Sequence, residues 1–203
     1  MPQRVEAPLA PAPFPMGIFP EYTRHTTQIA LKVRERKMSF TGDDFSIKDA
    51  VTGAMVFDIQ AKAFSFRGSK VVVDTQNRKL FMIEKAPFSL PSRYQGVDVA
   101  NPKKVLFEVS GASFFGTRLE IKFNNTAADG RPMTFKLDGD WASRDAVITN
   151  SDGMLVARIS RQFMNAGELI FGQQTYIVTI AAGVDAALIM AICICLDEKA
   201  SDR

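Results

Sequence analysis

The stretch FRGSKVVVDTQNRK, residues 66–79, carries four cations, Arg67, Lys70, Arg78 and Lys79, around a short apolar run. Guanidinium and ammonium groups of this kind hold phosphate through charge-assisted hydrogen bonds. Near an anionic membrane each exposed Lys or Arg contributes about 1 kcal/mol before screening. These four residues are therefore candidates for contact with phospholipid headgroups. Lys62 and Lys85 flank them, only Asp74 and Glu84 oppose them, and Lys103 and Lys104 add a pair in a later turn. The plainer reading is a solvated strand-and-turn surface. Geometry constrains the lipid reading further. FRGSK and TQNRK are successive turns joined by the strand VVV, and in an antiparallel meander successive turns point to opposite ends. Three strand residues span only about 10 Å, so both turns reach one surface if the domain lies sideways on it.

Other chemistry is sparse. Nucleophilic catalysis needs a base beside its nucleophile, and the chain has one histidine, His25, near its N-terminus. G-x-S-x-G, P-loop and G-x-G-x-x-G patterns are absent from the sequence. Cys193 and Cys195 sit in an apolar run, where a thiolate is poorly stabilised. The carboxylate pairs Asp43 with Asp44 and Asp138 with Asp140 are flanked by turn and strand residues, and Trp141 reads as a packing ring. No spacing of His, Cys, Asp or Glu suits a metal, and no calcium-loop pattern occurs. The expectation is a protein that is not an enzyme and uses no cofactor or metal.

Composition agrees with a soluble domain. Of 203 residues, 46% are apolar and 23% charged, enough to bury a core without disulfides. The net charge of +3, without a concentrated basic face, does not mark a nucleic-acid binder. The two cysteines read as buried free thiols, and the first twenty residues lack the apolar core of a signal peptide. These features predict a cytoplasmic protein, able to sit peripherally on a membrane. Nothing in the sequence sets an oligomeric state.

Six prolines fall in residues 1–20. Proline lacks the amide donor that helices and sheets need, so residues 1–28 are expected to form a flexible tail. APAPFP within it could serve a proline-recognising protein partner. QIALKVRER then alternates apolar and charged residues as a first strand does. Four later segments share one design: residues 45–59, 70–84, 97–109 and 145–159 each hold an apolar strand, Asp or Asn with turn formers, then a second strand. Each reads as a β-hairpin. AFSFRG, FFGTRLEIKFNN, PMTFKLDGDW and QQTYIVTI add single strands, about a dozen in all between residues 29 and 180.

AALIMAICICL, residues 186–196, is the longest unbroken apolar run. As a helix it spans about 16 Å, too short for a bilayer core of about 30 Å. Asp185 is placed as its N-cap. A helix apolar on every side must be buried on every side. About a dozen strands close into a barrel wide enough to need filling. The sequence thus predicts a mainly β domain over residues 29–203: a closed, mostly antiparallel barrel of about twelve strands around a central C-terminal helix near residues 185–197.

KMSFTGDDFSIKDAVTGAMVF, VVVDTQNRKLFMI, FKLDGDW, GMLVARISR and TYIVTIAAGVDAALIMAICICLDE together resemble the LURP-one-related proteins, between about Lys37 and Glu198. That family belongs to the tubby C-terminal-like superfamily with the phospholipid scramblases. The resemblance implies a twelve-stranded barrel around a central C-terminal helix. Tubby domains bind phosphoinositides and scramblases work at membranes. The expected function is a non-enzymatic binding module for anionic phospholipid or a protein partner. The alternatives are a scramblase-like lipid-translocating protein and an adaptor that recruits through its proline-rich tail.

Overall fold

The computed structural model describes residues 7–36, 44–61, 68–86, 93–111, 118–140, 145–160 and 175–201. The strands are β1 (Ile29–Arg36), β2 (Asp44–Asp49), β3 (Met55–Ala61), β4 (Lys70–Asp74), β5 (Lys79–Lys85) and β6 (Tyr94–Val97), followed by β7 (Val105–Gly111), β8 (Leu119–Asn124), β9 (Pro132–Asp140), β10 (Asp145–Asn150), β11 (Leu155–Ser160) and β12 (Thr175–Ile180). Each pairs antiparallel with its sequence neighbours, and β1 pairs with β12 to close a twelve-stranded barrel. Closure leaves no strand edge open to pairing with another chain. One α-helix follows, α1 (Ala186–Ser201).

All four expected hairpins form, and the reason is local. Asp49 Oδ1 accepts the amides of Val51 and Thr52 at 3.0 and 2.7 Å. Asp74 Oδ1 accepts those of Gln76 and Arg78 at 2.9 and 2.8 Å. Asp98 and Asn150 repeat the device, for Ala100 and Asn101 and for Asp152 and Met154. A short acceptor at the strand end thus satisfies the amides a reversal leaves unpaired. The β2–β3, β4–β5, β6–β7, β8–β9 and β10–β11 turns all lie at one end of the barrel. The link from β12 into α1 lies at that end too.

The wall supplies a ring of large side chains. Phe45, Phe57, Phe81, Phe107, Phe135 and Tyr176 are all buried. Inside them runs α1, whose residues from Ala187 to Leu196 are essentially solvent-free. Asp185 caps it as expected, its Oδ1 accepting the amides of Ala187 and Leu188 at 2.9 and 3.2 Å. The helix runs past residue 197 to Ser201, because two acidic residues find partners at its end. Tyr176 donates its hydroxyl to Asp197 Oδ2 at 2.9 Å, and Lys70 donates to Glu198. Cys193 and Cys195 are buried free thiols. Burial pushes the Cys195 thiol far up, which denies it the thiolate that metal or redox chemistry needs.

The N-terminal segment departs from expectation. Residues 7–28 are not a loose tail but a cap on the turn-bearing end of the barrel. Leu9, Met16 and Ile18 are buried. Met16 forms a parallel bridge with Val184, and Ala12 donates to the Ala182 carbonyl at 2.8 Å. Asp185 Oδ2 accepts the amides of Ile18 and Phe19 at 2.9 and 2.8 Å. Asn125 accepts from the Gly17 amide and donates to the Pro15 carbonyl. Phe19 stacks on Phe81 at 5.6 Å between centroids. The prolines deny this segment a strand of its own, but the residues between them still offer amides and apolar side chains. Gly17 is required: a Cβ there would stand 2.0 Å from Asp185 Cβ.

Candidate anion-binding groove

Of the four residues proposed from sequence, the three that the structure describes, Lys70, Arg78 and Lys79, do not converge. Lys70 is 3% exposed and points into the barrel. It pairs with Glu198 and stands 4.9 Å from the Phe45 ring centroid. The reason is parity. Strand positions alternate faces, so Lys70 shares the inward face with Val72, which packs in the main core. Val71 and Val73 belong to a separate outer cluster with Met82 and Val97. With valines on both faces, KVVVD shows no sequence alternation that would reveal this. Arg67 lies outside the described residues, as do Lys62 and Trp141. Arg78 is half exposed, in the turn at the other end of β4 from Lys70, and Lys79 is exposed beside it.

Arg78 is also engaged. Its Nε donates to Asp74 Oδ2 at 2.7 Å, and its Nη2 lies 3.3 Å from the Tyr22 hydroxyl. Tyr22 in turn donates to Asp74 Oδ2 at 3.0 Å. This knot ties the N-terminal cap to the β4–β5 turn. Burial raises the Asp74 carboxyl, but bonds from the Arg78 amide and guanidinium, Tyr22 and Gln76 outweigh it and hold it below its usual range. Burial and the bond to Asp74 push Tyr22 from 10.0 up to about 12. The folded state therefore keeps the phenol proton longer than the unfolded chain does. The stability this gives is complete below pH 10 and is lost as pH rises toward 12. Tyr22→Phe should flatten that alkaline decline in urea-melt stability; an unchanged decline would refute the role of Tyr22.

A different set of cations does converge, on the outer wall of β1 and β2. Leu31, Val33, Phe45 and Ile47 point inward and are buried. The residues between them, Lys32, Arg34, Ser46 and Lys48, consequently face outward. Register sets Lys32 directly opposite Lys48 and Arg34 opposite Ser46. Two cations set opposite each other on one face can both donate to an anion held between them. The side chains line a groove of about 420 Å³, closed at one end by the β2–β3 turn, Ala50 to Gly53. Asp49 also lines it. Its Oδ1 is taken up by the turn amides and the Thr52 hydroxyl, and the Thr52 amide bond first of all holds its carboxyl low.

Sequence reasoning missed this groove, although part of its signal was visible. The alternation in QIALKVRER puts Lys32 and Arg34 on one face. FSIKD does the same for Ser46 and Lys48. Their meeting depends on the β1–β2 register. Elsewhere, Asp138 forms an exposed pair with Arg118 at 2.9 Å. Among the described residues no group of His, Cys, Asp or Glu is arranged to hold a metal. No helix among them is long and apolar enough to cross a membrane.

Fold and site together define a class: a closed twelve-stranded antiparallel barrel threaded by its C-terminal helix, with a cationic groove on the outer wall. The chain belongs to the LURP-one-related family, whose model matches residues 29–197. Protein LURP-one-related 12 of Arabidopsis thaliana is 24% identical over 177 residues, covering 85% of this chain and 78% of the relative. Protein LURP1 of the same plant is 23% identical over 176 residues, covering 84% and 83%. An X-ray structure of an Arabidopsis thaliana protein superposes with a TM-score of 0.64 at 19% identity, covering 92% of this chain and 98% of that one. It shares the fold.

Proposed function

We propose that this protein is a binding module for anionic phospholipid headgroups, and that the β1–β2 groove is the site. The observation that carries the reading is the convergence of Lys32, Arg34 and Lys48 on one concavity with Ser46. Two ammoniums and a guanidinium supply donors to phosphate oxygens, and the guanidinium can bind two at once. The strands are paired antiparallel on both sides, with one register shift between Ile47 and Lys48, so the cations sit on a backbone-bonded wall. Pre-organised groups lose little freedom on binding. The reading moves the lipid contact from the β4–β5 region to β1–β2 and needs no reacting group.

The test is co-sedimentation with phosphoinositide-containing liposomes at low salt. Three cations, Arg34 and Lys48 exposed and Lys32 half-buried, at about 1 kcal/mol each amount to on the order of a hundredfold in partitioning. Changing Lys32, Arg34 and Lys48 together to Ser should cost that factor. Changing Arg78 and Lys79 to Ser should cost far less. Wild-type binding should fade with salt, because the Debye length falls from about 10 Å at 0.1 M to about 3 Å at 1 M. Equal binding by the groove variant and wild type, or no binding by wild type, would refute the proposal.

A further inference from the structure

Among the described residues four large apolar side chains stand well exposed: Val51 at 88%, Phe14 at 45%, Val105 at 43% and Met55 at 38%. Scattered exposed apolar residues need no explanation. These are not scattered. Val51 is in the β2–β3 turn, Met55 opens β3, Val105 opens β7, and Phe14 is in the N-terminal cap. All four lie at the turn-bearing end of the barrel. Three also share a side of that end. Met55 is paired with Lys48 in register, and the Phe14 carbonyl lies beside Gly183, in the link that leaves β12 next to β1.

Charge at this end matches an anionic surface. In three of the other turns the acidic side chain is paired with a neighbouring cation, Asp74 with Arg78, Asp98 with Lys104 and Asp129 with Arg131, while Asp152 in the β10–β11 turn is exposed. Lys48, Lys79 and Lys103 stand exposed beside them. The cationic groove ends at this turn, and Val51 is among its lining residues. An apolar tip just beyond a cationic groove has the vertical order of a lipid leaflet, with headgroup first and acyl chain below. Asp49 and Thr52 hold the turn rigid through the bonds already described, so Val51 is presented at a fixed position.

We propose that the barrel docks on an anionic phospholipid bilayer by this end, inserting Val51 of the β2–β3 turn into the bilayer interface while Lys32, Arg34 and Lys48 hold a lipid phosphate. Met55 and Phe14 form the shoulder of the contact. The proposal rests on the groove reading above and adds an orientation and an inserted residue. It places the barrel axis steeply to the membrane rather than sideways.

The experiment uses the full chain. Cys193 and Cys195 are buried, so a cysteine introduced as Val51→Cys takes an environment-sensitive fluorophore selectively. A second protein carries the same label through Lys122→Cys, exposed on β8 across the barrel. With phosphatidylcholine vesicles containing phosphatidylinositol bisphosphate, the label at residue 51 should shift to the blue and be quenched by spin-labelled lipid. The label at residue 122 should do neither. In parallel, Val51→Asp should lower vesicle partitioning by about tenfold, the equivalent of losing one buried Val. The groove triple variant should lose vesicle partitioning and binding of soluble inositol phosphate alike. If vesicles bind but the residue 51 label stays in water, or Val51→Asp binds vesicles as wild type does, insertion is refuted and the groove stands. If wild type binds neither vesicles nor inositol phosphate, both readings fail.

Discussion

Met190→Asp is expected to yield no folded protein. Met190 is fully buried in the second turn of α1, inside a closed wall. An unpaired carboxylate there costs several kcal/mol, against a total stability of about 5–15 kcal/mol. Protonation would relieve only part of this, because a neutral carboxyl buried without partners still carries a penalty. Met190→Leu, which nearly conserves volume, should cost under about 1.5 kcal/mol. The contrast separates charge from shape. Soluble yield and a cooperative thermal melt by circular dichroism are the readouts. A soluble, monomeric, cooperatively melting Met190→Asp protein would mean that α1 does not run through the barrel.

Asp185→Ala should be the most damaging single change of a polar residue. One carboxylate accepts four amides, two at the start of α1 and two in the N-terminal cap. It also excludes any side chain at Gly17. Loss of a helix N-cap costs about 1 kcal/mol. Each buried amide left without an acceptor adds about 1–3 kcal/mol. A loss of roughly 3–5 kcal/mol is expected in urea unfolding. Asp185→Asn keeps one acceptor oxygen and should fall between. Burial pushes the Asp185 carboxyl up to about 6, against the pull of the amides. The folded state thus binds this proton more tightly than the unfolded chain does. Wild-type stability, measured relative to Asp185→Asn, should therefore decline as pH rises from about 4 to about 6. Limited proteolysis supplies the structural readout. The Ala variant should be cut within residues 7–28 before the barrel is, and simultaneous loss of both would show that the cap is not a separable element.

Tyr176 and Asp197 show how partners far apart in sequence settle what local pattern leaves open. Read alone, an acidic pair at a helix C-terminus opposes the helix dipole, so a stop near residue 197 is the natural expectation. The bonds from Tyr176 and Lys70 offset that cost and carry the helix on to Ser201. Lys70 is the same lesson from the other side. In sequence it is one of four cations in a basic stretch, and only the parity of Val72 against the core assigns it to the lumen.

Features set by neighbours within a few positions were legible from the residues alone. Asp49, Asp74, Asp98 and Asn150 each bond amides two to four residues ahead, so four hairpins were legible as local chemistry. An apolar run with no polar face could only be enclosed, and enclosure required the barrel. The tertiary structure decided the rest. Register brought Lys32 opposite Lys48, and the β2–β3 turn closed their groove. Asp185 and Asn125 gathered a proline-rich segment that no local propensity would order. These contacts join residues more than a hundred positions apart. Their energy comes from amides and apolar side chains that find partners only once the barrel has closed and α1 is in place.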